Sequence, residues 1–258
     1  MKPPPSASRL LGALLLLGAL LLLGALNVHP AGNPPPPPLN DLAAGQALAA
    51  ELRALRPAEA AAFAGTLKVR GHGRPVVAIP LTSKIEPGAQ SWQVSYQTGG
   101  TNQIAAEKLV VIHFTNRPNE YLFARATSSN APPGEPQPLP RGQMFTTLAG
   151  SDFSFTDLGL EFFYWPHQML VQKEMRKGRA CRVLESRPAV TNDYARVVSW
   201  IDLESGGLLM AEAYDRANER VKQFEVNSVA QGQVRKMEML NLKDGTRTSL
   251  EFDPPKAP

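Results

Sequence analysis

The sequence predicts a mainly β protein with a few helices, arranged as one curled antiparallel sheet of about nine to eleven strands. Helical periodicity gives way to alternating periodicity at Thr66, and the alternation continues almost to the C-terminus. Turn residues separate the short alternating runs, which is typical of an antiparallel meander. A single sheet with so many strands must curl or close. A helix at the mouth of such a sheet leaves a hollow, and hollows of this kind commonly hold apolar ligands.

The first residues predict an export segment. Lys2 and Arg9 precede the apolar run Leu10–Leu26, and a short polar stretch and the proline run Pro34–Pro38 follow it. A basic head, an apolar core and an abrupt polar end are typical of an export signal. The apolar run is somewhat shorter than a full membrane span of about 20 residues. It is therefore either cleaved or retained as an N-terminal anchor.

Cleavage after Ala31, cleavage after Ala25 and retention as an inner-membrane anchor all remain open at this point. In each case the rest of the chain is expected outside the cytoplasm, and we interpret the destination as the bacterial periplasm. The sequence thus divides into the export segment or anchor up to Ala31, a proline-rich linker over 32–40, one domain over 41–253 and a tail over 254–258. The linker is expected to be stiff and extended.

Composition excludes several classes of function. The formal net charge is +4, and the export segment supplies two of the positive charges; the nearly neutral remainder predicts no nucleic-acid partner. Cys181 is the only cysteine, so an intramolecular disulfide is impossible. The four histidines are dispersed and predict no zinc site. With no nucleophile elbow and no phosphate-binding glycine loop, we predict no enzyme, no cofactor and no metal.

An N-terminal helix is predicted directly after the linker. Asn40 or Asp41 can cap it, and Pro57 ends or restarts it. We expect the helical region to extend to Phe63. One face of this helix carries leucines at helical spacing, namely Leu42, Leu48, Leu52 and Leu55.

The sheet is interrupted twice in the middle of the chain. Ser128–Arg141 is rich in proline and predicts a surface loop, and Ser151 or Asp152 can cap a short helix inside Gly150–Leu158. Strand patterning is expected to resume at Phe162. Beyond it the predicted strands are Phe162–Lys173, Arg179–Ser186, Ala195–Asp202, Leu208–Asp215, Val221–Val226, Val234–Leu240 and Thr246–Phe252.

Seven apolar or aromatic residues are predicted to line the hollow, because alternate residues of a strand share one face. A carboxylate, Glu212, shares the face of two of them, and a charge that faces an apolar hollow is costly unless it is paired or near the rim. The predicted lining residues are Trp92, Val94, Tyr96, Val198, Trp200, Met210 and Tyr214.

Five basic residues cluster between Lys173 and Arg182 around a turn at Gly178. The favoured interpretation is a solvated hairpin end. The alternative is a contact for anionic lipid headgroups or an acidic partner.

Several local motifs resemble one known family. Gly150–Leu158 reads GSDFSFTDL, and Val198–Asp202 reads VSWID. Glu212–Asp215 reads EAYD and is followed by the lysine-bearing strand Val221–Phe224. With GTLKV after an alanine-rich helix, these motifs resemble the outer-membrane lipoprotein-sorting family, the Lol-carrier-like periplasmic proteins, over residues 41–253.

This resemblance implies an unclosed antiparallel barrel with helices over its open side and an apolar hollow that holds acyl chains of lipoproteins or other amphiphiles. The leading hypothesis is a monomeric periplasmic carrier that performs no chemistry and meets partner proteins at the inner or outer membrane. The alternative is a periplasmic sensor or adaptor that has the same fold, a packed interior and a protein partner.

Overall fold

The structure is a computed structural model that describes residues 39–73, 75–129, 131–191, 193–230 and 233–254. The predicted export segment and proline run lie outside the described residues, as does nearly all of the predicted tail.

One antiparallel sheet contains all the strands that the structure describes. In chain order they are β1 (Ala61–Arg70), β2 (Val77–Pro87), β3 (Ser91–Thr98), β4 (Glu107–Phe114), β5 (Glu120–Arg125), β6 (Gln137–Pro138), β7 (His167–Arg176), β8 (Arg179–Arg187), β9 (Arg196–Asp202), β10 (Leu208–Tyr214), β11 (Arg220–Ala230), β12 (Gln233–Asn241) and β13 (Thr246–Phe252).

The order across the sheet is β6-β5-β4-β3-β2-β1-β13-β12-β11-β10-β9-β8-β7. Two meanders, β1 to β6 and β7 to β13, therefore join where the first strand pairs with the last. The edge strands β6 and β7 do not pair with each other in this order, so the sheet is curled but not closed into a barrel. The predicted fold class is confirmed, with thirteen strands instead of nine to eleven.

Two α-helices accompany the sheet in the part of the chain that the structure describes, α1 (Leu42–Ala54) and α2 (Phe155–Leu158). The Asp41 side chain accepts a hydrogen bond from the backbone N–H of Ala44 at 2.9 Å and so caps α1, as predicted. In α2 the cap is Ser154, which forms a capping box with Asp157; the predicted caps, Ser151 and Asp152, precede it. No helix among the described residues is long and apolar enough to span a membrane.

The two largest errors in the predicted boundaries concern the N-terminal helix and the strand predicted from Phe162. The predicted loop Ser128–Arg141 also contains the short strand β6, and β11 extends past the predicted end at Val226 to Ala230. The helical region does not reach Phe63, because β1 already begins at Ala61 and pairs there with β2. Alanine occurs in helices and in strands, so the alanine-rich sequence did not indicate where the helix ends. The strand predicted from Phe162 begins at His167, since Glu161–Tyr164 forms a 3-10 helix. Its two phenylalanines pack in the same cluster as α1, and aromatic residues are common in strands as well.

α1 lies directly on β7. A Cβ added to Gly45 would lie 2.5 Å from the Cα of Met169, a distance that no real side chain tolerates. Glycine costs about 1 kcal/mol relative to alanine inside a helix, so its presence here is explained by the close approach. Leu48, Ala49 and Leu52 are buried on the same side of the helix.

The segment Leu148–Tyr164 also packs against the face of the sheet that α1 covers, which we call the inner face. Phe153 and Phe155 are fully buried and belong to a core cluster with residues of β1 to β5, β12 and β13. A second cluster joins α1 and the 3-10 helix to β7 through β10. The inner face is therefore covered by two short pieces of chain.

Candidate functional site

A cavity of about 130 Å³ lies between the inner face and its cover. The cover consists of the C-terminal end of α1 and the segment Phe153–Tyr164. Leu52, Leu55 and Leu160 contribute apolar side chains from the cover, and Phe224, Met237 and Phe252 contribute them from the sheet. The lining is mostly apolar, with few polar groups.

Three of the predicted lining residues, Trp92, Val94 and Tyr96, line this cavity. All three come from β3, where alternate residues share a face. The Trp92 ring stacks on the His113 ring of β4 with 4.0 Å between their centroids, and the two residues are direct cross-strand partners. A flat aromatic wall thus borders the cavity on this side.

The other four predicted residues do not line it. Val198, Trp200, Met210 and Tyr214 pack in a cluster around Cys181 on the opposite, outer face. The reason is that β9 is buried on both faces, and β10 nearly so. Alternation shows which residues share a face, but in such strands it does not show which face points inward.

Glu212 belongs to the same outer face, and its carboxylate is paired. It forms ion pairs with Arg220 and Arg176, and the hydroxyl of Tyr214 donates to it at 2.6 Å. The Arg176 guanidinium lies 4.9 Å from the centre of the Trp200 ring. The expected problem of a carboxylate in an apolar hollow therefore does not arise.

The basic cluster near Gly178 is largely neutralised. Arg179 pairs with Asp202 at 2.6 Å, Lys177 with Glu225 at 2.7 Å and Arg182 with Glu51 at 2.9 Å. These pairs favour a structural role for the hairpin over the alternative of a surface for an anionic partner.

The GSDFSFTDL motif anchors the cover to the sheet. Asp152 accepts hydrogen bonds from the hydroxyls of Thr246 and Thr248 in β13. Asp157 lies 3.1 Å from Lys222 Nζ of β11 and accepts from the Tyr194 hydroxyl at 3.0 Å. The two aspartates therefore fasten opposite ends of one short segment to two different strands.

A third carboxylate, Glu107, holds the start of this segment. It is almost fully buried, pairs with Arg125 at 2.7 Å and accepts from the backbone N–H of Ala149 at 2.6 Å. Ala149 has a φ of 49° and is followed by Gly150 at 68°, a left-handed pair that favours glycine. The motif with the clearest family resemblance thus has a structural role that the residues themselves explain.

Arg53 of α1 lines the cavity and joins two parts of its wall. Its guanidinium donates to the carbonyl of Phe163 at 2.7 Å and to that of Thr115 at 3.4 Å. It thereby ties α1 both to the 3-10 helix of the cover and to the end of β4. The sequence analysis did not predict Arg53 as a site residue, because the leucine pattern identifies only the apolar face of the helix.

The remaining polar groups in the cavity wall are neutral or paired. Burial lowers the pKa of His113 to about 3, so its imidazole is uncharged at physiological pH. Burial raises the pKa of Tyr96. Ser83 is buried beside it on β2. His113 and Ser83 also escaped the sequence analysis, although each lies directly opposite a predicted lining residue of β3.

A half-buried carboxyl, Glu161, lies within the cover, at the start of its 3-10 helix. The Tyr121 hydroxyl donates to it at 3.0 Å, and burial, as the largest influence, raises its pKa to about 7. Within the described residues, no group of three or more His, Cys, Asp or Glu side chains could hold a metal ion.

Comparison with known proteins places this architecture among solved structures. A family model described as "Uncharacterized protein" matches residues 134–257, and no curated protein sequence matches significantly.

A DUF1329 family protein from Desulfovibrio piger has 16% identity and a TM-score of 0.67, over 83% of this chain and 92% of that one. A putative outer membrane lipoprotein-sorting protein domain from Vibrio parahaemolyticus has 15% identity, a TM-score of 0.67 and the same coverage of 83% and 92%. A LolA superfamily protein from Nitrosomonas europaea has 14% identity and a TM-score of 0.54, again over 83% and 92%. At these identities the similarity shows the fold, and it confirms the resemblance at that level.

Proposed function

We propose that this protein is a periplasmic carrier that holds the acyl chains of lipoproteins, or of another amphiphile, in the inner cavity and performs no chemistry on them. The observation that supports this most directly is the mostly apolar cavity under a short two-piece cover. Each methylene removed from water contributes about 0.8 kcal/mol, so a soluble carrier needs such an enclosure. The Vibrio protein, described as a lipoprotein-sorting domain, has the same fold.

The cavity must widen to take a long chain. Its volume of about 130 Å³ is below the roughly 300–1,000 Å³ of usual small-molecule sites. The side chains that would have to move belong to the cover, which Arg53 joins to the body through two backbone carbonyls. Reversible loading is then a displacement of the end of α1 that breaks these hydrogen bonds but makes and breaks no covalent bond.

The predicted export segment and domain division complete the proposal. Residues 1–31 direct the chain across the inner membrane, 32–40 act as a spacer and 41–253 form the carrier domain. The acyl chain is received from and delivered to membrane-associated partner proteins, and the carrier acts as a monomer without metal or cofactor.

The small volume of the cavity also supports an alternative function, that of a periplasmic sensor or adaptor. A periplasmic sensor or adaptor needs no room for a chain and docks a protein partner instead. The two proposals differ in a single measurable property, which is saturable acyl binding.

The test is a titration of the purified chain with a pyrene-labelled acyl methyl ester, followed by competition with the methyl esters of laurate, palmitate and stearate. A carrier gives saturable binding, and longer chains displace the probe better because each methylene adds to affinity. Added salt has little effect, since the bound chain is uncharged. If the folded protein shows no saturable binding, the sensor or adaptor proposal replaces the carrier.

A further inference from the structure

A second, smaller cavity lies beside the one that we propose to hold the acyl chain. Its volume is about 20 Å³, which is room for about one water molecule. Asp157, Leu160 and Phe224 line both cavities. The two spaces are therefore neighbours under one cover, and the shared side chains form the wall between them.

The smaller cavity exists because one strand carries small side chains. Ala211 and Ala213 of β10 are buried and line it, and Ala211 is the direct cross-strand partner of Phe224 on β11. A large ring thus stands next to a small side chain on the inner face. The larger cavity is bounded by this ring, and unfilled space continues beyond it over β10.

Leu160 holds an unusual backbone conformation in this wall. Its φ of 50° and ψ of 42° are left-handed, which is costly for a bulky residue and free of cost for glycine. It lies at the junction between α2 and the 3-10 helix of the cover. Strained residues of this kind cluster at ligand clamps and switch regions. The leucine at this position is therefore explained by its side chain, which separates the two cavities.

The polar groups of the smaller cavity already bond one another. Asp157 accepts from the Tyr194 hydroxyl at 3.0 Å and pairs with Lys222 Nζ at 3.1 Å. The rest of the lining is apolar and includes Val197 and Met239; methionine adapts to irregular neighbours. A polar ligand group would have to compete with a buried ion pair, whereas a hydrocarbon end needs only space. The smaller cavity therefore suits the methyl end of an aliphatic chain.

We propose that Leu160 and Phe224 form a gate, and that the smaller cavity behind it receives the methyl end of a long acyl chain when the gate opens. This proposal rests on the proposed carrier function and names the residues that determine its chain-length preference. A shift of the Leu160 backbone out of the left-handed conformation releases the strain and moves the leucine side chain out of the wall. The two cavities then form one space, which supplies part of the room that a long chain needs.

The test uses the full chain and the same pyrene-labelled methyl ester, displaced by the methyl esters of octanoate, laurate, palmitate and stearate. In the parent protein the affinity should rise along the whole series, because each additional methylene is buried. Ala211→Val and Ala213→Val fill the smaller cavity from its floor, and valine suits a strand. In these variants the rise should stop before stearate. The stearate ester should bind roughly tenfold more weakly than to the parent, with the octanoate ester unchanged.

Ala124→Val is the matched control. It adds the same volume at another buried strand alanine, on β5 and away from both cavities. Its chain-length series should remain that of the parent protein. Circular dichroism confirms folding, and either of the two β10 variants decides the question if the other does not fold.

Leu160→Gly tests the gate from the other side. Glycine adopts the left-handed conformation without strain and leaves no side chain in the wall. The palmitate and stearate esters should therefore bind more tightly than to the parent, with the octanoate ester again unchanged.

The failures of the two proposals are distinguishable. If the probe binds and the affinity still rises through to stearate in both folded β10 variants, the chain-end site is overturned and the carrier stands. A uniform loss across the series, octanoate included, overturns it as well. An unchanged series in folded Leu160→Gly overturns the gate. If the probe itself does not bind, the carrier proposal fails and this proposal fails with it.

Discussion

Lys222 Nζ lies 3.1 Å from a carboxylate oxygen of Asp157 and also donates to the backbone carbonyl of Asp152 at 2.8 Å. Both side chains of the ion pair are largely buried, at 15% and 8% exposure. The contact joins two motifs that are about 65 residues apart, the GSDFSFTDL segment and the lysine-bearing strand. Their shared presence in the sequence thus has one physical cause, the attachment of the cover to β11.

Removal of either partner of this pair should destabilise the protein strongly. Lys222→Met leaves the Asp157 charge buried without a counterion, which typically costs about 3–5 kcal/mol. The double variant Lys222→Met with Asp157→Asn should recover a large part of the loss, because no unpaired charge remains. Urea unfolding of the two single variants and the double variant measures the coupling, and strictly additive losses would contradict the pair's importance.

The position of Gly45 allows a test in which local helix preference and packing oppose each other. Gly45→Ala should destabilise the fold although alanine favours the helix by about 1 kcal/mol, because the added methyl meets the backbone of Met169. The reverse change at exposed Ala47 of the same helix, Ala47→Gly, should cost only about that propensity difference. Thermal unfolding compares the two; a stabilised Gly45→Ala protein would show that α1 is free to move away from β7.

Tryptophan substitutions distinguish the two faces of the sheet. Trp92→Ala should weaken binding of the acyl probe, since Trp92 lines the cavity. Trp200→Ala should leave the probe affinity unchanged in the protein that remains folded, because Trp200 packs on the outer face. Titration of both variants, with circular dichroism to confirm folding, checks this. Equal weakening in both would show that the cavity is not the binding site.

Trp92 and Trp200 also show how much of the candidate site could be predicted from the sequence. The alternation in β3 correctly grouped Trp92 with Val94 and Tyr96, and the same rule grouped Val198 with Trp200. The sequence did not show which face of the sheet, inner or outer, each of these two groups of residues occupies. In β3 the residues between the lining positions are only partly buried, whereas β9 is buried on both sides, so its pattern does not identify the inner face.

Sequential strands are neighbours within each half of the sheet, as the predicted antiparallel meander requires, because their connections are short. The pairing of β1 with β13 was not predicted, since these strands lie at opposite ends of the domain. The site depended on contacts that short-range patterns do not record. Arg53 meets Phe163 across 110 positions of the chain, and Ser83 meets Tyr96 only through the register of β2 and β3. Contacts of this kind can be identified only when the tertiary structure, including the register of neighbouring strands, is known.

Arg53 should control the rate at which the cavity loads. Arg53→Met retains much of the apolar stem and removes the hydrogen bonds to the carbonyls of Phe163 and Thr115. Both association and dissociation of the acyl probe should become faster, with a smaller change in affinity. Stopped-flow fluorescence measures the two rates. Arg182→Met is the matched control, because Arg182 also holds α1 but through exposed Glu51; similar rate changes in both variants would contradict a specific role for Arg53.

Glu161 should make the stability depend on pH. Burial raises its pKa from 4.5 to about 7 in the folded protein, so between these values the folded state binds more protons than the unfolded state. Stability must therefore fall as pH rises from about 4.5 to 7. One pKa unit corresponds to about 1.4 kcal/mol, so the whole effect is of the order of 3 kcal/mol.

Glu161→Gln removes the titrating group and can keep the hydrogen bond from the Tyr121 hydroxyl, which now ends on the amide oxygen of glutamine. The variant should be more stable than the parent above pH 7, where the parent carries a buried charge, and this part of the pH slope should disappear. Urea unfolding at a series of pH values measures the difference. Glu59→Gln, at an exposed position, should retain the parent's slope; if Glu161→Gln retains it as well, burial of Glu161 is not its cause.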